Sequence, residues 1–212
     1  MLLEMFITNY ENDALEAISK NIDPDLIKQL DDLGIKPSDY DNFRITGHRT
    51  AETVAEIFER TGISVGKFKE ILDTPKGFRP DPSTYLNTDY ISSHLAKFEG
   101  GVTKITAYIP TETVGPPGGT FVMPKSLADE IIEKSGGNIS KLEELLGLDP
   151  GTLGTNPVRI DILSPKGLRM PSGNELGASL QWLPGGYTAG GVPEATIDPA
   201  PIGTYIAKTL FN

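Results

Sequence analysis

The sequence predicts an α+β protein in which a helical N-terminal portion, residues 1–80, precedes an α+β catalytic portion, residues 81–212. Two observations support this fold class. Capping residues followed by apolar residues at helical spacing recur in the first part of the chain. Five to six short segments of strand character lie further along, and helices and long Gly/Pro-rich loops separate them without a regular strand–helix series. We therefore expect a small mixed or antiparallel sheet.

The N-terminal portion contains several helix signals. Asp23-Pro24 places a capping residue before a proline at the first helical position. Thr50 is a second cap, Gly62 is a stop signal, and Ser64 is a third cap. The predicted elements are helices over 24–33, over 50–60 and from 64 onwards, with a short strand over 43–46. The segment 75–82 is rich in helix breakers and marks the boundary between the two portions.

The second portion alternates helix and strand signals. Thr88 is a candidate cap, and two capping boxes begin at Ser126 (with Asp129) and at Ser140 (with Glu143). The alternation of apolar and charged residues over 158–162 is typical of a half-buried strand. The predicted helices cover 88–98, the segment after 126 and 140–146, and the predicted strands lie at 102–110, 120–123, 158–162, 194–198 and 204–210.

Composition argues against several classes of protein. The formal net charge of −10 does not suit a broadly basic surface that binds nucleic acid. The chain has no cysteine, which excludes disulfides and thiolate nucleophiles, and with only two histidines we expect no metal site. No apolar run approaches the roughly 18–20 residues of a membrane span, and the N-terminus lacks the basic region of a signal peptide.

The most informative segment is 164–203, in which 14 of 40 residues are glycine or proline and five are charged. It also contains large apolar residues that favour burial, so we interpret it as an ordered loop and not as a flexible linker. The pairs Gly185-Gly186 and Gly190-Gly191 flank Tyr187 and lead into Glu194 at the head of a strand. Such a loop is suited to a pocket for a planar or sugar-bearing ligand, with a carboxylate that accepts ribose hydroxyls or stabilises positive charge on a sugar. Purely structural roles, with glycines in tight turns and Glu194 solvated at a strand end, remain the alternative.

Several strings in this region resemble a known family. They read FVMPKSLADEII, LEELLGLDPGTLG and RMPSGNELGA, followed by WLPGGYTAGGVPEA. They resemble the C-terminal toxin domains of bacterial polymorphic toxins, the contact-dependent-inhibition and Rhs-type effectors, over about residues 80–212. The arrangement is similar to toxins of the ADP-ribosyltransferase type, which bind NAD as substrate. The resemblance implies secretion, delivery into the cytoplasm of a target cell, and a cognate immunity protein as partner.

The resemblance also implies site residues. Arg44 matches the basic residue of an early strand, and Glu194 matches the catalytic glutamate that follows a mobile loop. The positions implied to bind NAD are Thr120, Phe121 and Ser126, together with Tyr187, Gly190, Gly191 and Trp182 on the Gly-rich segment. The sequence departs from the family in having Val192 two residues before Glu194, where arginine-modifying members carry an acidic or amide residue. Simple NAD cleavage is therefore expected as readily as transfer to a protein.

Other interpretations stay open at this point. His94 could act as the general base of a metal-independent ribonuclease, with Lys104, Arg159 or Arg169 stabilising the phosphate; it could equally be a helix-face histidine that packs near Phe98. Glu175 could be a second catalytic carboxylate beside Glu194. Trp182 suits a core or loop-anchoring role better than a stacking platform. A third interpretation is a noncatalytic module that binds a partner through its Gly-rich loops.

Overall fold

A computed structural model describes residues 57–178, 182–188 and 190–211 of the chain. Arg44, the predicted helix over 24–33 and the predicted strand over 43–46 lie outside the described residues. Within them, the fold is α+β, as predicted, with an antiparallel sheet. None of the helices in the described ranges combines the length and the hydrophobicity that crossing a membrane requires.

Helices form where capping and periodicity predict them. Residues 57–61 are helical, and the chain leaves this helix at Gly62, which has a φ of 66°. Ser64 caps the next helix by accepting a hydrogen bond from the Lys67 backbone N–H, as predicted. The complete α-helices of the described part are α1 (Val65–Asp73), α2 (Thr88–Ala96), α3 (Lys125–Ser135) and α4 (Ile139–Leu146). A 3-10 turn covers Pro82–Thr84.

The sheet has five strands in the order β5-β3-β1-β4-β7, and a second pair joins β2 to β6. The strands are β1 (Val102–Thr106), β2 (Thr113–Val114), β3 (Thr120–Pro124), β4 (Val158–Ile162), β5 (Ala195–Ile197), β6 (Ala200–Pro201) and β7 (Ile206–Thr209). All neighbours pair antiparallel, with Val102 opposite Pro124 on β3 and Ile162 on β4. The five predicted strands are confirmed, while the short β2–β6 pair lacks the alternating pattern that would have predicted it.

Both predicted capping boxes are wrong, because other groups satisfy the helix starts. The chain turns from β3 directly into α3 at Pro124, and the Lys125 N–H donates to the carbonyl of Gly101 at 3.1 Å. Ser126 is therefore exposed in the first turn of a helix that has no side-chain cap, and Asp129 pairs with Arg159 of β4.

Two further caps lie upstream of the predicted residues. Asn138 caps α4 in place of Ser140, and Asn87 caps α2 in place of Thr88. Glu143 therefore takes no part in a capping box. It is buried and accepts hydrogen bonds from the backbone N–H groups of Gly151 (2.9 Å) and Leu153 (2.7 Å).

Two clusters of buried apolar side chains pack against the sheet. One gathers the end of α2 with β4 and β5, and its members include Phe98, Ile160 and Ile197. The other gathers α3 and α4 with β1 and β3, and its members include Ile131, Leu142 and Ile105. Val192 belongs to this second core, so the chain is anchored two residues before Glu194.

The described end of the N-terminal portion packs against the C-terminal loop. The Lys76 ammonium donates to the carbonyls of Leu176 (2.8 Å) and Ala178 (3.0 Å). The Asn174 side-chain oxygen accepts from the backbone N–H groups of Gly77 (2.8 Å) and Arg79 (3.1 Å). Residues 76–79 therefore help to fix the long Gly/Pro-rich segment.

Candidate functional site

A cleft of about 330 Å³ lies where β1 and β3 meet the Gly/Pro-rich segment. Its wall includes Lys104 of β1, Thr120 and Phe121 of β3, and the end of α4 at Leu146-Gly147. Trp182, Thr188 and Glu194 contribute the side formed by the loop. The described cleft wall thus contains one carboxylate, one ammonium group and three aromatic rings, those of Tyr108, Phe121 and Trp182.

Glu194 enters the cleft because its backbone is held on both sides. Its N–H donates to the carbonyl of Gly186 at 2.7 Å, and its own carbonyl lies 2.9 Å from the Nε2 atom of His94. Val192 on one side and Ala195 on the other are both buried in the apolar cores. The side chain between these anchors lines the cleft.

The Glu194 carboxyl has an altered acidity. Burial raises its pKa to about 7, since the charged form loses water in the cleft wall. The Lys104 charge acts in the opposite direction and lowers this pKa, while Glu175 raises it further. A carboxyl poised near neutral pH is able to change protonation state during a reaction, which is typical of a catalytic group.

Lys104 lies on the central strand with few partners. Its ammonium donates to the carbonyl of Phe121 at 3.4 Å, and within the described ranges no carboxylate lies at ion-pair distance from it. Burial lowers its pKa, and Glu194 partly compensates. The ammonium therefore keeps N–H groups available for a negatively charged ligand in the cleft.

Trp182 both anchors the loop and lines the cleft. Its ring is 4% exposed, and the Arg79 guanidinium lies 4.7 Å from the ring centroid. Gly173 packs so closely that a Cβ there would lie 2.6 Å from the indole. The indole Nε1–H is buried and has no hydrogen-bond partner among the described residues.

The structure brings together four of the sequence-predicted residues and separates the others that lie in the described ranges. Glu194, Thr120, Phe121 and Trp182 line the same cleft. Ser126 is exposed on α3, and Gly190 and Gly191 are not part of the cleft wall.

Three further predicted residues, Glu175, Tyr187 and His94, lie outside the cleft wall. Glu175 is buried and accepts from the N–H groups of Ser172 (3.0 Å) and Gly173 (2.8 Å), so it holds a turn. Tyr187 is buried, and its hydroxyl accepts from Lys97 at 2.6 Å. His94 is 1% exposed, and its ring lies 5.6 Å from that of Phe98. None of the three lines the cleft.

Sequence reasoning missed that Lys104 faces Glu194. The available signal was a single lysine in the middle of an otherwise apolar and threonine-containing strand, VTKIT. It also missed Tyr90 and Lys97, which are four residues before and three residues after His94 and so share its helix face. No protein-family model matches the chain, and comparison with curated proteins gives no significant match, so the geometry alone guides the interpretation.

The neighbouring glycines 190 and 191 give a matched test of the loop. A Cβ at Gly190 would lie 2.7 Å from the carbonyl oxygen of Leu145, whereas at Gly191 it would meet nothing within 4 Å, although φ there is +77°. We expect Gly190→Ala to lower the free energy of unfolding by about 2–3 kcal/mol through overpacking. Gly191→Ala should cost about 1 kcal/mol through backbone strain. Urea unfolding of both variants checks this, and equal losses would contradict it.

Proposed function

We propose that the protein is an effector enzyme that cleaves the bond between nicotinamide and ribose in NAD, as a glycohydrolase or an ADP-ribosyltransferase. The observation that supports this most is the presence of Glu194 and Lys104 in one aromatic-lined cleft without a direct ion pair between them. Two opposite charges kept apart in this way suit a ligand that carries both a cation and an anion.

NAD has this pattern at its reacting half. The pyridinium ring is positively charged, and the phosphate that follows the ribose is negatively charged. The cleft, at about 330 Å³, lies at the small end of ligand pockets, which suits the nicotinamide nucleotide half of the molecule. The Phe121 ring offers a surface for a planar base, and Trp182 forms part of the same apolar wall.

Cleavage of this bond requires the enzyme to stabilise the positive charge that develops on the ribose. As the bond from ribose C1′ to the ring nitrogen breaks, its electron pair leaves with neutral nicotinamide, and positive charge develops on the ribose. The ionised Glu194 carboxylate stabilises that charge. A water molecule then attacks C1′ and loses a proton, which yields ADP-ribose; a nucleophilic group of an acceptor protein in its place makes the reaction a transfer.

The positions of the residues give less support to the two alternative functions, a ribonuclease and a noncatalytic binding module. A ribonuclease based on His94 needs that ring at the substrate, whereas it is 1% exposed and outside the cleft wall. A module that only binds a partner does not require a carboxyl with a pKa near 7. Nor does it require a neighbouring lysine whose ammonium makes only a long hydrogen bond of 3.4 Å among the described residues. The resemblance to polymorphic toxins adds the remainder of the proposal: secretion, delivery into the cytoplasm of a target cell, and a cognate immunity protein that covers the cleft.

The direct test is an assay of the purified chain with NAD and, separately, with RNA. We expect nicotinamide to be released from NAD, and RNA to remain intact. Expression of the chain inside bacteria should arrest growth and lower cellular NAD. Intact NAD after prolonged incubation, or RNA that is degraded, would refute the proposal.

A further inference from the structure

One side of α2 holds the loop that carries Glu194. Tyr90, His94 and Lys97 are spaced by four and three residues, so they lie on the same side of this helix and its cap. The Tyr90 hydroxyl donates to the carbonyl of Gly185 at 2.7 Å, and the Lys97 ammonium donates to the Tyr187 hydroxyl at 2.6 Å. Between these two contacts, the His94 ring meets the carbonyl of Glu194 itself at 2.9 Å.

The His94 ring acts there as a neutral donor. A carbonyl oxygen can only accept, so Nε2 carries the hydrogen. Burial lowers the pKa of His94 to about 4, with Lys97 and Arg60 contributing in the same direction, and the ring is therefore uncharged at neutral pH. The other nitrogen, Nδ1, is buried and has no hydrogen-bond partner among the described residues.

The residues around the contact between His94 and Glu194 are closely packed. The Glu194 N–H donates to Gly186, and a Cβ on Gly186 would lie 2.8 Å from His94 Nε2 and 2.7 Å from Met170. The ring also packs against Tyr187, with centroids 5.1 Å apart. His94, Gly186 and the Glu194 backbone thus form one closed set of contacts behind the cleft.

We propose that His94 is a positioning residue, whose Nε2–H fixes the Glu194 peptide so that the Glu194 carboxyl is held in the cleft wall. The inference rests on the proposed function of the cleft, but it assigns His94 a role different from general base catalysis. A misplaced catalytic group costs up to about 100-fold in rate, so the contact should matter although His94 touches no substrate.

Glutamine and methionine at position 94 separate the two roles. The amide nitrogen of a glutamine is as many bonds from Cβ as Nε2 of histidine, so His94→Gln keeps the donor while it removes a titrating ring. His94→Met keeps the bulk and loses the donor. We expect His94→Gln to retain NAD cleavage within about 5-fold of the wild type, and His94→Met to lose roughly 10–100-fold.

A second measurement does not depend on activity. The Glu194 carboxyl is titrated by carbon NMR in the wild type and in each variant. Its pKa should stay near 7 in the wild type and in His94→Gln, and it should fall toward the ordinary value of 4.5 in His94→Met, because the released loop admits water. Tyr90→Phe, which removes only the contact to Gly185, is the control and should leave this pKa unchanged.

The outcomes are separable. If His94→Gln is as inactive as His94→Met while Glu194 titrates near 7 in both, His94 acts in proton transfer and the inference is wrong. If the wild type leaves NAD intact, the proposed function fails, and the NMR titration still tests the positioning role. Should His94→Met not fold, His94→Asn takes its place, since its amide is one bond too short to reach the carbonyl.

Discussion

Glu194→Gln is expected to lower NAD cleavage by about 100- to 1000-fold while leaving the protein folded. The neutral amide keeps the shape of the side chain but cannot stabilise positive charge on the ribose, and loss of one such electrostatic contact costs rates of this order. Release of nicotinamide by the purified variant measures the effect, and growth of expressing bacteria should recover. Turnover near that of the wild type would remove Glu194 from the mechanism.

The same variant should be more stable than the wild type at alkaline pH. The folded-state pKa of Glu194, about 7, lies above the ordinary value of 4.5, so folding favours the protonated form. Its contribution to stability is complete below pH 4.5 and is lost as the pH rises through 7. Above that pH, the ionised carboxylate costs about 3 kcal/mol of the free energy of unfolding, which glutamine restores.

Urea unfolding of both proteins at pH 4.5 and pH 8 checks this difference. All other carboxylates titrate in both proteins, so the comparison isolates Glu194. We expect nearly equal stability at pH 4.5 and a clear advantage of the glutamine variant at pH 8. An advantage that is the same at both values would show that the carboxyl has an ordinary pKa.

Local patterns in the sequence were sufficient for most of the fold. The alternation of Val158, Ile160 and Ile162 placed β4 correctly, because one face of that strand packs into a core and the other meets polar partners. The Ser64 cap was also correct, since its side chain accepts from the N–H of Lys67 in the first turn of the same helix. The head of β5 could be inferred from the glycines and from Glu194 that follows them.

Other predictions failed because they depend on contacts between segments that are distant in the sequence. The capping box at Ser126 is a sound local signal, but β3 runs straight into α3 and Gly101 supplies the acceptor for the first N–H. Tyr187 looked like a ligand-facing aromatic on a loop. Its ring is instead enclosed by Arg60, 3.8 Å from the centroid, and by His94. No local pattern encodes these partners, because they come from helices far away in the sequence.

The cleft forms because the strand order of the sheet brings distant segments together. Lys104 and Glu194 lie in segments that are distant along the chain, and they meet because β3 pairs with both β1 and β5. Each residue alone has an ordinary explanation, as a strand lysine or as a strand-end glutamate. Their position together in one cleft distinguishes a functional site from two solvated charges, because burial there raises the pKa of Glu194 although Lys104 lowers it.

Replacing Lys104 by methionine should therefore reveal which part of the substrate the ammonium contacts. If the ammonium binds the phosphate next to the nicotinamide ribose, Lys104→Met should slow cleavage of NAD and of nicotinamide mononucleotide by roughly 10–100-fold, the value of a hydrogen bond to a charged group. Nicotinamide riboside lacks this phosphate, so its much slower cleavage should be unchanged. Lys208→Met, on an exposed strand position outside the cleft, controls for the loss of one positive charge.

The pH dependence of the activity of Lys104→Met provides a second test. Lys104 lowers the pKa of Glu194, so without it this pKa should rise above 7, and activity should appear only at higher pH. Rates must accordingly be compared at the plateau of each profile, where Glu194 is ionised in both proteins. A loss that disappears at the plateau means that Lys104 only tunes Glu194, whereas an equal loss for the riboside means that it does not contact the phosphate. A loss confined to the phosphorylated substrates is the expected result, because the Lys104 ammonium makes no ion pair with a described carboxylate and has N–H groups that can bind an anion.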